Sequence, residues 1–113
     1  MDAIEKSTIQ LVESIRQSDI YLHYLACEQS LKAYPGTMKQ LDSLRSDIVA
    51  MYSDSDGDEL LERSEELSRE YREMQKIPQV NAYLEAEAEL CQEVRDIYKE
   101  IVSSIGIRVP DLG

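Results

Sequence analysis

The chain has no Trp and no Phe. Any core must therefore close on aliphatic side chains, with the seven tyrosines placing hydroxyls at its edge. Glycine is scarce and scattered, four in all, so no glycine-rich phosphate loop is present. One His and two Cys leave little for metal or nucleophilic chemistry. A structural zinc takes four ligands. A Cys–His pair needs an activated thiolate in a cleft and an orienting third group. No apolar run approaches the roughly 18 residues of a membrane span. The opening residues, MDAIEKSTIQ, carry acid and lack the apolar stretch of a signal peptide. These absences make a cytoplasmic, non-enzymatic protein the expected reading.

Cations are also few. Twelve Lys and Arg face 23 Asp and Glu, for a formal net charge of −11. That balance repels a phosphate backbone and an anionic membrane surface. Direct nucleic-acid binding and membrane insertion are not expected. Basic protein partners gain a faster encounter, although the acidity can equally serve solubility alone.

What is present is helical periodicity. Residues 78–106 form the longest candidate helix: Pro78 suits a first turn, Gly106 a left-handed end, and no Pro or Gly intervenes. It would run roughly 40 Å at about 1.5 Å per residue. One apolar seam reads Val80, Leu84, Cys91, Val94, Tyr98, Ile101, Ile105, with charged Glu87 as the interrupted step. A second reads Tyr83, Ala86, Leu90, Val94, Ile97, Ile101. Two adjacent seams are too broad for one partner helix, so the rest of the chain is expected to wrap around this one.

Four shorter helices precede it. Residues 2–17 carry Ile4, Thr8, Leu11 and Ile15 at helical spacing, with Val12 alongside. Ser18 can cap a second helix over 19–33, with the seam Ile20, Tyr24, Cys27, Leu31. A continuous helix bent at residues 17–19 fits equally well. Tyr34-Pro35-Gly36 is a break, after which Thr37 can cap a third helix over 38–52. Its face is Met38, Leu41, Leu44, Ile48 and either Met51 or Tyr52. The polar turn at 53–59 leads to a fourth helix over 58–76, seamed by Leu60, Leu67, Tyr71 and Met74 with Ser64 in the gap. The fold class is all-α: about five helices bundled around the long C-terminal one. Residues 1–106 read as a single helical domain and 107–113 as a flexible tail.

Three constellations invite chemistry. Asp54, Asp56 and Asp58 surround Gly57, but an EF-hand loop with Gly57 sixth would start at Tyr52 and end at Arg63, both wrong for calcium. His23 and Cys27 lie four apart and could share a metal with Cys91. The plainer expectation is that both cysteines are buried free thiols on apolar seams in a reducing compartment. Glu87 either leans outward or pairs with a base across a helix or subunit boundary. No catalytic residue, cofactor or metal site is assigned.

Two stretches resemble the YlbF/YmcA family of bacterial regulatory proteins. LVESIRQSDIYLHYLACEQSLKAYPG resembles its opening helix pair through Ser18, Asp19, Tyr21, Tyr24 and Pro35. MQKIPQVNAYLEAEAELCQEVRDIYKEI resembles the start of its long helix through Pro78, Val80, Tyr83, Leu84, Ala86, Glu87 and Leu90. The resemblance implies a small helical protein forming dimers or higher oligomers. It also implies an accessory role in competence, sporulation and biofilm formation, within a complex that influences RNA processing by a membrane-associated endoribonuclease. The iron–sulfur tail of some relatives is not carried over, since no cysteine follows Cys91.

The resulting expectation is a non-catalytic regulatory adaptor acting through protein–protein contacts; the alternative is a small-ligand or metal-binding bundle. The protein is expected to be a homo-oligomer, most simply a dimer, with other regulatory proteins as further partners. The interface is placed at Val94, Ile97, Tyr98, Ile101 and Ile105, near the end of a helix too long for its shorter neighbours to cover. Tail residues Ile107 and Val109 are the rival cover.

Overall fold

A computed structural model describes residues 2–54 and 57–108, the side chains of Asp54 and Asp58 excepted. Five helices follow in order: α1 (Ala3–Arg16), α2 (Asp19–Lys32), α3 (Pro35–Asp54), α4 (Gly57–Gln75) and α5 (Pro78–Ile105). No strand occurs among the described residues. The fold is all-α, as the periodicity predicts.

Three of the junctions share one construction. Each has two residues, and the second (Ser18, Tyr34 or Ile77) closes the helix behind it and opens the one ahead. Its N–H donates to the carbonyl three residues back, on Ile15, Leu31 or Met74. Its own carbonyl accepts the N–H four residues on, from Leu22, Met38 or Asn81. At Tyr34 and Ile77 a proline follows, with its preset φ and no N–H to lose in the first turn. At Ser18 the hydroxyl does the work instead: it donates to the Ile15 carbonyl at 2.6 Å and accepts the Tyr21 N–H at 3.3 Å. Helices α1 and α2 are therefore separate.

The same construction corrects the expected start of α3. The helix opens at Pro35, not at residue 38 behind a Thr37 cap. Tyr34 supplies the capping carbonyl, and Gly36 and Thr37 fall in the first turn. Asp2 caps α1, its carboxylate accepting the Glu5 N–H at 2.8 Å. At the far end Gly106 takes φ 80°, where a side chain is strained, and the Ile107 N–H reaches back to the Val102 carbonyl.

The chain divides into two compact units, Leu25–Leu84 and the combination of Met1–Tyr24 with Glu85–Gly113. The divisions fall inside α2 and inside α5. In the central unit, residues 25–84, lie Cys27, Leu31, Leu41, Leu44, Met51, Leu67, Met74, Val80, Tyr83 and Leu84, all buried. Here α3 and α4 run antiparallel: residues 48–52 line one groove with 64–72, and residues 40–47 line another with 69–77. The guanidinium of Arg45 lies 5.9 Å from the centre of the Tyr83 ring, joining α3 to the first turns of α5. Of the two candidates closing the α3 face, Met51 is buried and Tyr52 is exposed.

The terminal unit differs. Helix α1 buries none of its residues. On α5 the last buried apolar residue is Ala86. Among the described residues, the rest of the chain encloses only the first turns of α5, and its later part is left uncovered, as the length of this helix against its shorter neighbours predicts. The expected burial of Cys91 is corrected. It is a free thiol, like Cys27, but exposed, because among the described residues its seam is not buried beyond Ala86.

Candidate functional site

The seam at the end of α5 is the most distinctive surface. Val94, Tyr98, Ile101 and Ile105 are 47%, 48%, 47% and 63% exposed. Ile97 and Leu90, on the adjoining seam, are half-buried. Cys91 continues the exposed row towards the helix start. Their 3–4–3–4 spacing holds all five exposed residues on one side of a regular helix, the pattern by which helices dock. Ile107 is itself exposed and does not act as cover. Val109 lies outside the described residues.

Further exposed apolar residues belong to the same unit, among them Ile4, Leu11 and Val12 of the helical pattern read in α1. On α1, Ile4 is 78% exposed, and Ile9, Leu11 and Val12 are exposed as well. Only Ile15 is half-buried. The periodicity of α1 was legible in the sequence, but periodicity does not reveal that, among the described residues, this face stays unburied. Each helix thus leaves large apolar side chains exposed in a chain of this size, and exposed apolar patches mark interaction sites.

The central unit offers shallower features. The two grooves between α3 and α4 have cavity volumes of about 410 and 580 Å³. The first is lined by Met51, Tyr52, Leu67, Tyr71 and Arg72, the second by Leu44, Arg69, Glu73 and Met74. At the end of α4, Lys76 donates to Glu73 at 2.8 Å. That bond, and then the ammonium charge, hold the Glu73 carboxyl below its ordinary range.

Among the described residues, no group of three His, Cys, Asp or Glu could hold a metal ion. His23 and Cys91 belong to the terminal unit and buried Cys27 to the central one. The acidic turn lies outside the described residues, Asp56 wholly and Asp54 and Asp58 in their side chains. Glu87 is half-buried. No helix is long and apolar enough to cross a membrane among the described residues.

A family model described as control of competence regulator ComK, YlbF/YmcA, matches residues 4–106. No curated protein and no solved structure matches the chain. The matched span includes both exposed rows, on α1 and on the end of α5.

Proposed function

The chain belongs to the YlbF/YmcA family, described as control of the competence regulator ComK, and from that premise we propose that it is a non-catalytic regulatory adaptor working through protein–protein contacts in the cytoplasm. Its terminal unit joins a second copy of the chain. The single observation that carries this reading is a terminal unit with almost no core: eight large apolar side chains of α1 and α5 stand exposed, those of α5 in one row at helical spacing.

Magnitudes favour a shared interface over a solvated surface. Covering the exposed half of one such side chain is worth on the order of 1 kcal/mol. Five on the α5 seam, doubled by two-fold symmetry, come to roughly 10 kcal/mol. Association itself costs roughly 4–15 kcal/mol. The α5 seam alone is therefore marginal. Adding Ile4, Ile9, Leu11 and Val12 of α1 moves the balance towards a stable pair.

Replacing Ile97 and Ile101 with Glu tests the reading. Light scattering coupled to gel filtration should find a dimer for the unmodified protein and a monomer, or unfolded chain, for the variant. In the source bacterium, the unmodified gene should restore competence to a deletion strain and the variant should not. Full restoration by a folded, monomeric variant would separate the regulatory role from pairing. Sporulation, biofilm formation and RNA processing are read out in the same strains.

A further inference from the structure

Two rows in the terminal unit share one spacing. On α1 the row is Ile4, Thr8, Leu11, Ile15; on α5 it is Val94, Tyr98, Ile101, Ile105. Both step 4–3–4, and both run about 17 Å at the α-helical rise. The steps read the same from either end, so the two rows match whichever way the helices run.

In the single chain neither row covers the other. Ile4 and Leu11 of α1 and all four residues of the α5 row are exposed, and Ile15 is half-buried. Val12, exposed beside the α1 row, widens it. Thr8 is no obstacle to burial. Its hydroxyl donates to the Ile4 carbonyl at 2.8 Å, so closing the row leaves that group satisfied.

We infer that two copies of the chain exchange these rows: α1 of each copy lies along the later part of α5 of the other. The inference rests on the pairing reading above and names the surfaces that meet. Pairing α5 with α5 alone covers a seam that is marginal against the cost of association, and leaves α1 bare in both copies. Pairing α1 with α1 alone has the same fault with a smaller row. Pairing like with like on both helices brings α1 and α5 alike onto the two-fold axis, because a helix that meets its own copy crosses that axis. An exchange is free of this constraint. It is made twice, once on each side of the axis, and covers all four rows.

Cysteines near the middle of each row make the exchange readable. With the rows aligned end to end, Leu11 meets Ile101 if the helices run parallel and Tyr98 if they run antiparallel. All three side chains are exposed, so replacing them leaves the packing of the single chain intact. Cys91 is exposed as well, and Cys91→Ser in every chain silences it. Full-length chains carrying Leu11→Cys are mixed with tagged full-length chains carrying Ile101→Cys or Tyr98→Cys, diluted and reconcentrated so that copies exchange, and oxidised. Non-reducing gels then separate the links by mass. Light scattering is run on each mixture before oxidation. The expected result is a dimer in which the 11–101 or the 11–98 link exceeds the 11–11, 98–98 and 101–101 links by about tenfold or more, as the narrow reach of a disulfide requires. A dimer linked mainly between like positions, or one forming neither the 11–101 nor the 11–98 link, overturns the exchange and leaves the pairing standing. A folded monomer at every concentration overturns the pairing on which the exchange rests.

Discussion

The central and terminal units are built from the same kind of helix and differ in what their apolar faces meet. In residues 25–84, the seams of α2, α3, α4 and the start of α5 enclose one another, and leucines at 31 and 41 show no surface. In the terminal unit, seams of equal regularity on α1 and the later α5 enclose almost nothing. Helix α5 carries both conditions: Val80, Tyr83, Leu84 and Ala86 are buried, while Val94, Tyr98, Ile101 and Ile105 are exposed. Helical periodicity therefore reports that a face will be covered, and does not report by which chain.

The comparison breaks most severely through matched truncations in the two units. Leu41→Ala removes a side chain with no exposed surface and should cost about 2–5 kcal/mol in denaturant unfolding, at every protein concentration. Ile101→Ala removes one that is half exposed in the single chain. Its cost should appear chiefly as a weaker concentration dependence of the midpoint. Equal, concentration-independent losses at both sites would mean that the terminal unit is a self-sufficient core after all.

Thiol chemistry gives a gentler contrast between the same two units. Both cysteines should react in the denatured protein without reductant, since both are free. In the native protein, exposed Cys91 should react promptly, and buried Cys27 at least about a hundredfold more slowly, through local opening. Dilution should speed Cys91 if the seam is shared between copies and leave Cys27 unchanged. A Cys91 rate indifferent to dilution would remove that residue from the interface.

The smallest effect lies on the central unit's surface. Lys76→Ala should raise the Glu73 carboxyl towards its ordinary value, read by NMR titration. A lowered carboxyl contributes stability above its unfolded pKa and loses it as pH falls through the folded one. The pair should therefore help only at the alkaline side of the carboxylate range. Because Glu73 and Lys76 are both well exposed, the change in stability should be near the limit of detection.

Much of the fold was legible because its signals are local. Pro35, Pro78 and Gly106 punctuate the chain through backbone geometry that no neighbour is needed to impose. The core faces of α3 and α4 follow from spacing: Leu41, Leu44 and Met51 are buried as read, as are Leu67 and Met74. The start of α3 was misread because a Thr cap and a proline first turn compete within three residues, and the carbonyl of Tyr34 decides between them. Cys91 was misread because its seam continues that of buried Val80 and Leu84 without a break in pattern. The exposed row of α1 was invisible for the same reason.

By itself the sequence determined five helices, their order, their apolar faces and membership of a regulatory family, because each rests on backbone preference, spacing or residue pattern. Only the tertiary structure decided which faces close on each other. Burial depends on where distant segments meet. Those meetings enclose α5 as far as Ala86 and leave its remaining seam, with all of α1, open.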